Sequence, residues 1–424
     1  TIEGVVDFGD LQIFEGVTTY PAILAMKRGT APEGHDLRFW KVDVLPETNF
    51  QATWEKAAGP YPQAALGAGS WELENTALRS LRDKIITGRK TLKDTYGKPL
   101  YGVKTGLNPA FVIDGRTKNL LCGKDPRSSD VLKPFVEGKH LKRWRSEPED
   151  RWLILLPKGW TKSRYTISDE ESGFLQLAND YPAVAEWLAP FEARARKRTD
   201  QGDFWWELRA CAYYDRFNGP KLWYGDIVAT PSMQIDTSGA ICDTTGFIVP
   251  NVSFADLAVL NSKVVWFVFK AMTPLARGGY YRAKTQYIQN LPLPTMPSET
   301  AQALDDLARL AQASSEHRLT LQRALARRIP DLCPPGRDPK LTTRLQEWWT
   351  LPDFAAFRAE VKKVFKADIP LAERSAWEDW ITRDRAEIAL LSAEITKAET
   401  LIDGIAYSLF DLTPDEIALL ECVV

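Results

Sequence analysis

In the last quarter of the chain isoleucines recur every seven residues, at Ile381, Ile388, Ile395 and Ile402, with Leu391, Ala398 and Ile405 between them. A seven-residue apolar repeat lays one continuous seam along a helix, and that seam has to be covered by another helix. The repeat predicts a helix over 374–410 packed antiparallel against one over 299–328, with Ser298 expected as its capping residue. A proline-rich break, DLCPPGRDP, follows the first helix, and a shorter helical stretch is expected over 339–366. Taken alone, these are amphipathic core helices serving as a scaffold.

Ahead of Ser298 the pattern is different. VVDFGDLQIF, TYPAILAMK and LRFWKVDVL are β-branched and aromatic runs broken by Gly and Pro, and they predict strands within residues 1–55. Residues 56–70 read as a loop, and a helix is expected from Ser70 to Gly88 with Leu78, Leu81 and Ile85 at helical spacing. From 99 to 298 strands and helices mix. RWLILLPKG is a compact buried strand, 173–198 is helical with a break at Tyr181-Pro182, and FADLAVLNSKVVWFVFKA is a helix. The prolines of YIQNLPLPTMP mark a boundary. The expected fold class is therefore α+β: a β-rich domain with helical insertions, followed by an all-α C-terminal domain. The expected division is 1–75, 76–298 and 299–424, in keeping with about 100–200 residues per domain.

No run of about 18 apolar residues occurs, so no membrane-spanning helix is expected. The five cysteines lie far apart with no CxxC pair, which suits a reducing, cytoplasmic compartment. Three histidines leave little material for zinc or Ser/His/Asp chemistry. The chain begins at Thr1 without a methionine, and the expectation is a piece of a longer protein.

The net charge of −2 conceals an asymmetry. Residues 79–164 hold 21 Lys and Arg against 9 Asp and Glu, a local +12. A basic block in an otherwise acidic chain points to a polyanion, although a solvated basic face would look the same. Three basic patches interleave with aromatics. They are Lys133–Arg145, the group Arg194, Arg196, Lys197 and Arg198, and Arg277–Lys284. Arginine suits guanine edges and phosphates, lysine suits phosphates, and together the patches favour nucleic acid.

Two catalytic motifs match in letters only. Asn108-Pro109-Ala110-Phe111 approaches the (D/N/S)-P-P-(Y/F) loop of amino-group methyltransferases, in which the aromatic ring stacks on a flipped base. The second proline is alanine here, and no Gly-rich turn for the methyl donor precedes it. Pro352-Asp353 with Glu360-Val361-Lys362 spells a PD-(D/E)xK nuclease string. On a helix, however, Asp353 and Glu360 would stand about 10 Å apart, too far to share one Mg²⁺.

The order of motifs says more than any single one. TGLNPAFVID, VLKPFVEGKHLKRW and WLILLPKG are followed by Trp206–Leu208, PKLWYGDI, MQIDTSGAICDTTGFIV, LAVLNSKVVWFVF and a Gly-rich basic loop ending in QNLPLP. This series, over about 100–296, resembles the TaqI-like C-terminal specificity domain. That is the target-recognition domain of adenine-specific DNA methyltransferases, Type IIG restriction–modification enzymes and related phage-exclusion (BREX) methylases. The opening DFGDLQIFEGVTTYPAILAMKR is similar to the stretch joining the methyltransferase core to that domain, and the tail resembles the helical C-terminus of the same enzymes. The family's methyl-donor turn, NPP(Y/F) loop and nuclease domain are absent. In that family NPAF belongs to the specificity domain.

The resemblance implies the DNA-recognition half of a restriction–modification enzyme or adenine methylase acting in phage defence. It implies no catalytic residue and no cofactor in this fragment, with S-adenosylmethionine, and Mg²⁺ if it is a nuclease, serving the parent. The implied partners are double-stranded DNA and the N-terminal methyltransferase domain of the same parent chain; no membrane is expected. Phosphate contacts are expected from Lys104, Arg116, Lys139, Lys142, Arg143 and Arg145, and base contacts from Arg277, Tyr281, Arg282 and Lys284. Trp144 reads as a core residue, and Asn261 and Lys263 as structural. The alternative is a helical protein-interaction or structural module with no direct DNA contact.

Overall fold

The computed structural model describes all residues except 10, 17–19, 43, 48, 67–70, 72–75, 168 and 277. Two compact units emerge from the contacts: Thr1–Arg89 with Phe267–Arg282 and Thr413–Val424, and Lys90–Trp266 with Ala283–Leu412. The expected segments 76–298 and 299–424 thus contribute to both units, and most of the two share the larger one.

The smaller unit is built on a four-stranded sheet in the order Ala22–Met26, Ile2–Asp7, Asp36–Lys41, Gly59–Pro62. Ile2–Asp7 pairs antiparallel with the first of these and parallel with Asp36–Lys41. Val6, Phe8, Trp40 and Val42 form one core cluster, against which helix Phe50–Ala57 packs through Phe50 and Trp54. The sequence pattern favours strands up to residue 55 and a loop over 56–70. Instead Asn49 turns the chain with φ 50 and caps a helix by accepting the Ala52 N–H, and Gly59–Pro62 extends the sheet. Helix Thr76–Ile86 buries Leu81 and Ile85 and ends before Gly88, whose φ of 75 favours glycine. Its expected start at Ser70 lies outside the described residues.

The larger unit contains two four-stranded sheets. One runs Ile241–Cys242, Leu132–Val136, Arg151–Ile154, Val112–Asp114; the other runs Gln234–Asp236, Lys221–Gly225, Gly246–Pro250, Leu100–Tyr101. Between and around them lies an aromatic-rich core, with Phe204 and Trp206 stacked at 4.8 Å and Trp205 edge-on to Trp206 at 5.4 Å. Helices Glu170–Asp180 and Pro182–Leu188 meet at Tyr181-Pro182, the expected break. FADLAVLNSKVVWFVFKA forms two helices, Phe254–Leu260 and Lys263–Met272, where one was expected. The break falls at Asn261, whose side chain bonds both backbone polar groups of Met233.

Helices Ser298–Ala326 and Arg374–Leu409 are antiparallel: Ser314 donates to Glu394, and Arg318 to Ser392 at 3.0 Å. Ile381, Ile388, Leu391, Ile395, Ala398 and Ile402 are buried along the seam. Ser298 is the first residue of its helix and not the cap; Pro297 holds the cap position without a side-chain bond. The 339–366 stretch becomes a short turn, Thr343–Gln346, and a helix, Phe354–Phe365. The fold class is α+β, with an all-helical C-terminal region.

Candidate nucleic-acid interface

The first basic patch runs from strand Leu132–Val136 through the short turn Gly138–His140 into a tight hairpin, in which Leu141–Lys142 pairs with Arg145–Ser146. Arg143 and Trp144 form the turn. Lys139 is 62% exposed and pairs with Glu137 at 2.7 Å. Hydrogen bonding to that carboxylate raises the Lys139 pKa and lowers that of Glu137. Arg145 forks onto Glu147, and His140 lies 3.3 Å from Glu149. Arg151, on the neighbouring strand, reaches both Glu137 and Glu149. The basic core of the +12 block is therefore interleaved with acids, and its charge is compensated where it is densest.

Lys142 differs from its neighbours: among the described residues it makes no ion pair. The same holds for Arg116, exposed in the first turn of helix Gly115–Lys124. Lys104 is 54% exposed and paired with Asp200 at 2.7 Å, and Lys284 is 41% exposed and paired with Asp226 at 2.9 Å. Arg143 is inward-facing. It donates to the Asn261 carbonyl at 2.7 Å and pairs with Glu399 at 3.1 Å, and burial pushes its pKa below the usual arginine value. Trp144 is buried, as expected.

Tyr281 and Arg282 belong to the smaller unit, whereas Lys284 belongs to the larger. Tyr281 packs edge-on against Phe269 at 6.1 Å. Arg282 lines a cleft of about 690 Å³ with Asp7, Phe8, Tyr20 and Lys41. Arg277 lies outside the described residues. The fold thus gathers Lys142, Arg143 and Arg145 on one hairpin with Lys139 in the turn just before it, while the other candidates come from separate elements.

Of the second patch only Arg198 turns inward; Arg194, Arg196 and Lys197 are exposed, and Arg196 pairs with Glu170 and Glu192. Arg198 is buried, donates to the carbonyls of Thr105, Trp205 and Glu207 at 2.6–2.9 Å, and lies 4.4 Å over the Phe111 ring. Phe111 is fully covered, so the NPAF aromatic has no face to offer a base. Asn108 accepts from the Thr105 hydroxyl at 2.5 Å. Asp353 caps helix Phe354–Phe365 through the Ala356 N–H, and Glu360, buried, pairs with Arg344 and Lys363 at 3.6 and 3.7 Å. Both motif matches are thus occupied by structural contacts.

Sequence reasoning missed several polar residues that shape this region. Glu207 is buried and its carboxylate accepts the backbone N–H of Gly159, Thr161 and Asp203 at 2.8–3.0 Å. Gln312 bonds both the N–H and the carbonyl of Ile235, completing the outer edge of Gln234–Asp236. No local pattern marks these residues, because apart from Asp203 their partners are distant in sequence. Among the described residues, no cluster of three or more His, Cys, Asp and Glu is placed to hold a metal. None of the described helices is long and apolar enough to cross a membrane.

Comparison with known proteins adds a family to this geometry. Residues 133–293 match the TaqI-like C-terminal specificity domain. This is the family that the order of motifs resembled, and the matched span contains the hairpin and both larger sheets' central strands. Residues 297–405, the helical pair, match a domain of unknown function. Two solved structures are similar to the chain at low identity. One is the Type IIL restriction–modification enzyme MmeI in complex with DNA, at 11% identity and a TM-score of 0.48, covering 99% of this chain and 45% of that one. The other is the Type IIG restriction endonuclease BpuSI, at 13% identity and a TM-score of 0.38, covering 96% of this chain and 43% of that one. The chain spans less than half the length of either enzyme. None of the curated proteins matches it.

Proposed function

We propose that this chain is the DNA-recognition half of a restriction–modification enzyme, its strand-built specificity domain binding duplex DNA. The observation that carries the reading is the match of residues 133–293 to a specificity domain. In this reading Arg116 and Lys142, which make no ion pair among the described residues, meet phosphates directly. Lys104, Lys139 and Lys284 are held by partly exposed ion pairs, which contribute about 0–1 kcal/mol each, so a phosphate can take the place of the carboxylate at little cost. Arg143 supports the hairpin from inside. Base edges are read by side chains of the strand-built region and of Tyr281 and Arg282, in register fixed by the phosphate contacts. Adenine methylation, with S-adenosylmethionine, belongs to the methyltransferase domain of the same parent chain, and any cleavage with Mg²⁺ lies outside these residues as well.

Selection from a randomised duplex pool, followed by sequencing of the bound fraction, tests the reading. Enrichment of one short motif is the expected result. A bound fraction with no sequence preference, or no bound fraction at low salt, would overturn it. The latter result would favour a helical interaction module, a reading for which the interleaving of Glu137, Glu147 and Glu149 among the hairpin cations already speaks.

A further inference from the structure

The hairpin turn contains a backbone conformation that its sequence does not favour. Trp144 has φ 65, in the left-handed region that a bulky side chain rarely enters. Such a residue is strained and persists only where its surroundings determine it. Those surroundings are specific. The Trp144 N–H donates to the Met233 carbonyl at 3.1 Å, and its indole Nε1 donates to Glu399 Oε1 at 2.7 Å. The same carboxylate oxygen receives Arg143 at 3.1 Å, while the other arm of that guanidinium reaches the Asn261 carbonyl. Asn261 in turn clasps Met233. One helix turn further on, Asp403 accepts the Lys263 N–H at 2.8 Å.

The hairpin is thus fixed from below by helix Arg374–Leu409, within the segment matching a domain of unknown function. The clamp is polar and charge-specific, which a purely apolar scaffold would not need. Arg143 Nε is buried with no hydrogen-bond partner among the described residues, so Glu399 supplies the carboxylate nearest a largely desolvated guanidinium. Lys142 immediately precedes this anchored turn on the hairpin's first strand, and Lys139 lies three residues before it, in the short turn that leads into that strand.

We propose that Glu399 is a positioning residue for DNA recognition: it locks the strained Arg143–Trp144 turn so that Lys139 and Lys142 are presented together to the phosphate backbone. The helical domain of unknown function then serves as the rigid base of the specificity domain's basic hairpin. This rests on the DNA-recognition reading above.

Glu399→Gln keeps an acceptor for the indole and removes the charge. Two readouts separate the two claims. Hydrogen exchange of the hairpin amides, measured without DNA, is expected to speed up at residues 139–147 in Glu399→Gln and not in Thr396→Ala, an exposed residue of the same helix whose hydroxyl donates to that helix's own Ser392 carbonyl. Unchanged hairpin protection in Glu399→Gln would overturn the clamp. Binding to duplex DNA across a salt series is expected to lose about two units of log–log slope in Glu399→Gln, two phosphate contacts at about 0.9 each, and none in Thr396→Ala. Weaker binding at an unchanged slope in Glu399→Gln would reduce the residue to a structural role and overturn the proposal. If the unaltered chain shows no salt-dependent binding, the DNA reading fails and this proposal falls with it, whatever the exchange data show.

Discussion

Ile388, Ile395 and Ile402 are buried along one helix that packs chiefly against Ser298–Ala326, whereas Trp206 is held by residues from separate stretches of the chain. Its ring stacks on Phe204, tilts against Phe174 at 5.3 Å, and donates through Nε1 to the Thr161 hydroxyl at 2.9 Å. The helical pair buries its apolar surface by repetition, each layer resembling the next. The strand-built region buries it by convergence around a few large rings. Repetition tolerates the loss of one layer, because the layers on either side still pack. Convergence does not, because each ring fixes several segments at once.

The largest expected effect follows directly. Trp206→Ala should cost about 4–5 kcal/mol and lower the thermal midpoint throughout the larger unit. Ile395→Ala, 6% exposed in the seam, should cost about 2–3 kcal/mol, measured by the same denaturant titration. Equal costs for the two would break the contrast drawn above.

Next comes a pH effect that sharpens it at the base of the helical region. Asp368 accepts a fork from Arg358, with both bonds at 2.6 Å, and a further bond from Arg374 at 3.1 Å. The Arg358 fork above all holds its carboxyl well below the usual carboxylate range. A depressed folded-state pKa stabilises the fold above the ordinary value of about 3.9, and that contribution is lost as pH falls through the folded value. Asp368→Asn should therefore melt lower than the unaltered chain at neutral pH, with the gap closing as the pH drops below about 4. A gap constant across that range would show that the ion pair is not its source. The smallest effect on stability is expected at the surface: Arg116→Ala should change unfolding by less than about 0.5 kcal/mol while weakening DNA binding several-fold.

The same contrast explains how much could be read from the chain itself. The isoleucine seam and the antiparallel pair were legible because a helix turns its periodicity into a face. The break at Tyr181-Pro182 was legible because proline acts locally. The resemblance to a specificity domain was legible because its motifs run in order over nearly half the chain, and residues 133–293 match that domain. Several features were not. Helix Phe50–Ala57 hid within aromatic residues that favour strands, and its cap, Asn49, takes a backbone conformation that sequence does not announce. The split at Asn261 depends on Met233, and the inward turn of Arg143 on Glu399. Counting charges gave a strongly basic block, yet Glu137, Glu147 and Glu149 sit among its cations once the chain is folded. Net charge along a sequence does not report which charges are already paired.

The claim that matters most is that this surface recognises DNA. Fluorescence anisotropy of the chain with a labelled duplex across a salt series tests it most directly, run beside a variant carrying Arg116→Ala, Lys139→Ala and Lys142→Ala. The account predicts steeply salt-dependent binding by the unaltered chain and a slope lower by about 2.7 in the variant, at about 0.9 per phosphate contact, with thermal stability unchanged. Equal slopes and affinities for the two proteins would contradict it.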